Sequence, residues 1–251
     1  MARPQPRGAS TPGPASFLTT RWSVVLAAGR PGEARARAAL ADLCEAYWRP
    51  LYAYVRRRGH GVEDARDLTQ AFFARLLEKN AVEGADPRRG RFRGWLLGAL
   101  KHFLANEWDR AQAQKRGAGR VPLSLEFESA DERLALEPAH ELTPERAFER
   151  DWALSVLERA FQALEAEWTA RGRRELFAAL KPSLAGEPGE SLRSIGQRLG
   201  QSEGAVKVAA HRLRRAFRAL LRREIAETVE SEAEVEGELA ALIEALGTRA
   251  P

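Results

Sequence analysis

The sequence is short of the residues that build most catalytic centres. It has one cysteine and four histidines in 251 residues. Cys44 alone can close no internal disulfide and no cysteine zinc cage, which fits a reducing interior. Set among Leu40, Leu43 and Tyr47, it reads as a small buried apolar residue. His60, His102, His140 and His211 are scattered, with no HExxH, no paired cysteines and no glycine-rich phosphate loop around them. His60 to Glu63 sits at a helix start and reads as capping rather than ligation. An enzyme or metalloprotein is therefore not expected, and no catalytic residue, metal ligand or cofactor is assigned. No apolar run approaches the ~20 residues that span a bilayer. Residues 1–16, MARPQPRGASTPGPAS, are rich in Pro, Gly and Ser and lack an apolar centre. They read as a disordered tail rather than a signal peptide, and a cytoplasmic protein is expected. No convincing period-two strand is found either, so the expected fold class is all-α.

What is present is charge of one sign in particular places. The net charge is +5 and the pI about 9.8, which favours a polyanionic partner. The strongest local signal is Ser191 to Arg223, SLRSIGQRLGQSEGAVKVAAHRLRRAFRALLRR. Leu192, Ile195 and Leu199 recur at helical spacing behind Ser191 as N-cap. Gly200-Gln201 breaks the pattern, and Ser202 caps a second helix with Glu203 in its first turn. Val206, Ala209, Ala210, Leu213, Ala216, Phe217 and Leu220 form one stripe of that helix. Lys207, His211, Arg214, Arg215, Arg218 and Arg222 form another. One face can pack while the other meets an anion, which is what the recognition helix of a helix-turn-helix requires.

The rest of the chain reads as further helices. A short one is expected from Arg21 to about Ala28, then a longer one from Glu33 to Arg58 with a kink or break near Arg49, ahead of Pro50. Arg56-Arg57-Arg58-Gly59 closes it. Val62 to about Lys79 carries a core stripe of Val62, Ala65, Leu68, Phe72 and Leu76, with Asp64, Asp67, Gln70 and Phe73 facing away. Asn80 to Gly90 reads as a loop. Arg91 to about Lys115 mixes Phe92, Trp95, Phe103 and Trp108 with Arg91, Arg93, Lys101, His102, Arg110 and Lys115. Aromatics beside cations are how proteins hold unpaired DNA. Yet Phe92, Leu96, Ala99 and Phe103 also make a core stripe, so most of these aromatics, Trp95 included, are assigned to the core. The surface cations and the preceding loop are the better DNA candidates. Residues 117–142 form an acidic linker. Thr143-Pro144-Glu145 starts a helix running to about Ala170, with Phe148, Trp152, Leu157, Phe161, Leu164 and Trp168 inward. A shorter helix spans Arg173 to Leu180, ended by Pro182. Beyond Ile225 the charge reverses through Glu227, Glu230, Glu232, Glu234, Glu236, Glu238 and Glu244. Val235, Leu239, Leu242, Ile243 and Leu246 trace an apolar face there, as in a short amphipathic helix that docks on the rest.

Two basic helical blocks in this order, separated by an acidic linker, resemble a bacterial RNA polymerase sigma factor of the extracytoplasmic-function group. YWRPLYAYVRRRGHGVEDARDLTQAFFARLLE and GRFRGWLLGALKHFLANEWDRAQAQKR resemble sigma region 2. SLRSIGQRLGQSEGAVKVAAHRLRRAFRALLRREI resembles region 4. The resemblance covers roughly residues 35–116 and 144–226. It implies a sigma region 2-like bundle at 17–116, the linker at 117–142 and a region 4-like helix-turn-helix domain at 143–226. The acidic extension occupies 227–251. It further implies a protein that binds core RNA polymerase, recognises promoter DNA and promotes strand opening. By position, Asp67 and Gln70 of DLTQ match the helix that docks on the β′ clamp coiled coil. Family members commonly carry Glu after that Gln, where this chain has Ala71. The loop from Asp86 to Arg91 matches the one that captures a flipped base of the minus-ten element. Arg88, Arg89, Arg91, His102, Arg110, Lys115 and Arg116 would serve that element. His102 stands where the family often has Asn, and it could equally be a satisfied surface histidine. Lys207, His211, Arg212, Arg214, Arg215 and Arg218 match contacts to the minus-thirty-five element. The helix from Arg173 would lie near the β flap. Double-stranded and melted promoter DNA are implied partners, and an anti-sigma factor is a further one that the resemblance admits.

A second reading is a stand-alone helix-turn-helix regulator that binds operators as a dimer. It would use the face from Lys207 to Arg218 and leave DARDLTQ unexplained. A pull-down with core RNA polymerase separates the two readings.

Overall fold

The computed structural model describes residues 34–78, 91–113, 142–186, 188–226, 229 and 231–247. Among them are nine helices and no strand. We number these α1 (Ala34–Arg57), α2 (Val62–Glu78), α3 (Phe92–Ala113), α4 (Pro144–Ala170), α5 (Arg174–Leu180), α6 (Pro182–Ala185), α7 (Leu192–Leu199), α8 (Glu203–Ala226) and α9 (Glu232–Gly247). The fold class expected from the sequence is the one observed. The helix expected over 21–28, the 80–90 loop and the acidic linker up to residue 141 all lie outside the described residues.

The capping chemistry acts where the sequence puts it. Thr143 is extended, with its hydroxyl accepting from Arg146 N, and Pro144 follows at the first helical position. Ser191 Oγ accepts from Ser194 N at 3.1 Å, and Ser202 Oγ from Ala205 N at 3.2 Å. Gly59, at φ 94°, ends α1 just after three arginines.

α1 departs from expectation. Pro50 removes one backbone donor, yet the helix runs unbroken from Ala34 to Arg57. Tyr47, Leu51, Tyr54 and Val55 are all buried on either side of it. Continuous packing of that stripe outweighs the single lost hydrogen bond. Phe73 is a second correction. It is buried and lies against Phe72, ring centroids 5.7 Å apart, rather than facing away. Pro182 is a third, minor one: it ends α5 and also opens the one-turn α6.

α4 is the helix on which the rest is assembled, in contact with α1, α5, α8 and α9. Among its buried apolar residues, Phe148, Trp152, Val156, Ala160, Leu164 and Trp168 recur every four positions. Steps of four advance a helix by about 40° beyond one turn. The stripe therefore winds about 200° from Phe148 to Trp168, and the two halves of α4 face different neighbours. Phe148, Trp152 and Val156 join a core with α1, α2, α3, Ile225 at the end of α8, and Val235 and Leu242 of α9. Ala160, Leu164 and Trp168 join a second core with α5, Ile195 of α7, and Val206, Leu213 and Leu220 of α8.

Ion pairs tie the elements across these cores. Arg49 of α1 pairs with Glu158 at 2.7 Å, and Lys101 of α3 with Glu145 at 2.8 Å. Arg159 pairs with Glu224 of α8 at 2.9 Å.

Candidate nucleic-acid interface

α8 divides its residues by face. Val206, Ala209, Ala210, Leu213 and Leu220 are buried, and Ala216 and Phe217 are half-buried. Phe217 meets Phe161 of α4 with ring centroids 4.5 Å apart. Full burial of Val206 or Leu213 stabilises by about 1.5–3 kcal/mol each, which holds the opposite face outward. Lys207, His211, Arg212, Arg214, Arg215 and Arg218 are all exposed there. None of the six is paired with a carboxylate among the described residues. Arg222, next along the same row, differs. It is held by Glu232 at 3.0 Å and by Glu236.

The turn Gly200-Gln201-Ser202 sets α8 against α7. Gly200 takes φ 63°, a left-handed conformation that glycine adopts without strain. Gln201 N donates to Gly196 O at 2.8 Å. Gly196 is buried, and a Cβ there would stand 2.7 Å from the Gln201 carbonyl oxygen. The close approach of turn to helix needs glycine at 196. Arg193 pairs with Glu203 at 3.2 Å across the same junction.

On α2, Asp67 is exposed and Gln70 half-buried. Three residues apart, they share one helix face. Thr69 beside them is buried, its hydroxyl donating to Ala65 O at 2.7 Å. α3 buries Phe92, Leu96, Leu100 and Phe103, with Trp95 half-buried and stacked on Phe92 at 5.6 Å. Lys101, His102, Asn106 and Trp108 are exposed. Trp108 is 65% exposed and is the aromatic of this helix that the core does not take. The pattern of cations and aromatics could have singled it out, because it falls off the Phe92–Leu96–Ala99–Phe103 stripe.

Arg91 is exposed at the start of α3, its Nε 2.5 Å from Glu238 Oε1 of α9. Arg93, expected among the surface cations, is 5% exposed. Its guanidinium stacks 4.1 Å over Trp152 and donates to Glu149 at 2.7 Å and to Glu238. Burial pulls its pKa down, and the neighbouring Glu149 carboxylate opposes that shift. Arg110 lies within α3. Arg88, Arg89, Lys115 and Arg116 lie outside the described residues. Thus α8 presents Lys207, His211 and four arginines on its exposed side, whereas Asp67, Gln70, His102 and Arg91 sit on other elements.

Among the described residues no cluster of three or more metal-ligating side chains occurs, and no helix is long and apolar enough to cross a membrane. The fold thus defines an all-helical protein built on two cores around one shared helix. Residues 43–114 match the family model of sigma-70 region 2, a span that takes in most of α1, all of α2 and all of α3. No curated relative and no solved structure matches the chain.

Proposed function

We propose that this chain is a sigma factor of the extracytoplasmic-function kind. It binds core RNA polymerase, recognises promoter DNA and promotes strand opening. The observation that carries the reading is the sigma-70 region 2 match over residues 43–114. In this reading Asp67 and Gln70 dock on the β′ clamp coiled coil. α7 and α8 act as a region 4-like helix-turn-helix. Its N-terminal part enters the major groove, where Lys207, His211, Arg212, Arg214, Arg215 and Arg218 meet phosphates and base edges. Arg91, His102 and the cations flanking α3 serve the melted minus-ten element, with exposed Trp108 as a surface on which an unpaired base can stack. Such a protein makes no bond itself. It uses binding energy on extruded non-template bases to shift the closed–open equilibrium. A bidentate Arg–guanine contact discriminates by about 1–3 kcal/mol.

The test is a pull-down with core RNA polymerase followed by transcription in vitro from a library of promoter fragments. The chain should associate with core and start transcripts, and Asp67→Lys should weaken association. If the chain occupies duplex DNA by itself, ignores core polymerase and starts no transcripts, the stand-alone regulator reading replaces this one.

A further inference from the structure

The acidic extension is docked on arginines from the start of α3 and the C-terminal part of α8. At about 100° per residue, the packed sector of α9 runs from Glu238 through Leu242 and Val235 to Leu239. Glu232 and Glu236 follow beyond Leu239 on the exposed side, so carboxylates flank the apolar residues on both sides. Val235 and Leu242 are buried in the first core. Ile243, which the sequence pattern assigned to the docked face, is instead 68% exposed, whereas Glu238, at the opposite edge of the apolar residues, is turned inward. Glu238 is 1% exposed. A carboxylate so deeply buried is costly unless paired. Arg93, itself anchored on Trp152 and Glu149, donates to one oxygen, and Arg91 lies 2.5 Å from the other. On the far edge, Glu232 and Glu236 hold Arg222 of α8.

Arg91 is among the cations that the proposed function assigns to the minus-ten element. Arg222 continues the row of exposed cations on α8 and is the member that is neutralised. We propose that α9 is a built-in acidic latch. Its carboxylates occupy Arg91 and Arg222 as nucleic-acid phosphates would, so that DNA and α9 compete for the same cations. This inference rests on the DNA-binding reading above. Arg93 is the anchor that positions Glu238, and it is not itself withheld from DNA. Because the two binding events are linked, displacing α9 strengthens DNA binding and DNA loosens α9 by the same factor.

The experiment uses the full chain and fluorescein-labelled random-sequence DNA 20-mers, single-stranded and duplex, with and without core RNA polymerase. Glu238→Gln keeps the side-chain shape and removes the charge. Glu232→Gln with Glu236→Gln does the same on the exposed edge. Coupling of this kind typically amounts to about 5–150-fold, so each variant should bind DNA about tenfold more tightly at low salt. A freed phosphate contact should also steepen the duplex salt dependence by about 0.9 in log–log slope. A second arm needs no mutation and decides alone should Glu238→Gln fail to fold. Hydrogen exchange of residues 232–247 in the unmodified chain should quicken when DNA is added. Unchanged affinity in the variants, with α9 equally protected in free and DNA-bound chain, overturns the latch. If no form binds DNA, with core polymerase or without it, the underlying DNA-binding reading fails instead.

Discussion

Gly196→Ala is the substitution whose outcome the geometry determines most tightly. In a helix interior alanine is favoured over glycine by up to about 1 kcal/mol, so propensity alone predicts a more stable protein. Position 196 is buried, however, and the added Cβ would lie 2.7 Å from the Gln201 carbonyl oxygen. Comfortable carbon–oxygen contacts begin near 3.3 Å, and the atom in the way is backbone. It cannot rotate aside. Moving the turn strains the Gln201 N to Gly196 O hydrogen bond and the Ser202 cap on Ala205. Overpacking of this kind costs about 1–3 kcal/mol, and a disturbed hydrogen bond about 1 more. The net expectation is a loss of about 1–3 kcal/mol, or a melting temperature lowered by about 2–12 °C for a chain of this size. Duplex DNA affinity should fall further than stability does, since the turn sets α8 against α7. Gly98→Ala is the matched control: it lies within α3 with nothing within 4 Å of the new Cβ. It should be neutral or stabilising, by up to about 1 kcal/mol. Thermal melting followed by circular dichroism decides. A Gly196→Ala protein that melts at or above the wild-type temperature would refute the steric reasoning.

Three further outcomes are expected. Replacing Arg214 and Arg215 with alanine should weaken duplex binding and flatten its salt dependence by about 0.9 in log–log slope for each side chain that meets a phosphate. A slope unchanged across salt titrations would remove them from the interface. Burial pushes the Cys44 thiol up to about 12, so iodoacetamide at pH 8 should leave the native chain unlabelled and react fully in guanidinium. Rapid labelling without denaturant would contradict the packing around α1. Hydrogen bonding to Lys101 holds the Glu145 carboxyl below its usual range, and the same bond raises Lys101. The pair therefore stabilises between the ordinary glutamate and lysine values, 4.5 and 10.5. Its contribution is lost as pH falls through the lowered carboxyl value or rises through the raised amine value. Both groups are about half exposed, so a Lys101–Glu145 double-mutant cycle should give under about 1 kcal/mol at pH 7. The coupling should shrink as acid protonates Glu145 and should fade in 1 M salt; coupling that outlasts protonation of the carboxylate would mean that packing, not charge, joins α3 to α4.

Much of this architecture is legible in the residues, because its signals are local. Thr143-Pro144, Ser191 and Ser202 act within one turn of themselves, and the starts of α4, α7 and α8 follow directly. The apolar spacing of α8 separates its packed and exposed faces for the same reason. What stays hidden depends on partners remote in sequence. Phe73 and Arg93 look outward by helical spacing alone. Each turns out to be buried because another element arrives to cover it. Arg93 needs Trp152, Glu149 and Glu238, which come from α4 and α9 and could not be paired with it from the sequence. Glu238 is the same case seen from the other side. In a run of seven tail glutamates nothing local marks the one that is 1% exposed. Charge reversal after the basic helix signals that the extension docks, but not which carboxylate goes inside.

The winding stripe on α4 bears on how such a chain could grip two separate DNA elements. Phe148, Trp152 and Val156 follow the acidic linker in sequence, yet they are buried with α1, α2 and α3. If the two lobes part when DNA is bound, these three side chains leave the first core. At about 1.5–3 kcal/mol each, exposing them costs about 5–9 kcal/mol, close to the whole stability of a typical domain. The ion pairs Arg49–Glu158 and Lys101–Glu145 would open as well. Duplex DNA touching α8 alone supplies no replacement for that apolar contact. A partner that covers α4 or the vacated face of α1 does, and in the proposed function core RNA polymerase is the available surface. On these energetics the proposed function predicts that the free chain stays closed and that its two cores separate only with polymerase bound.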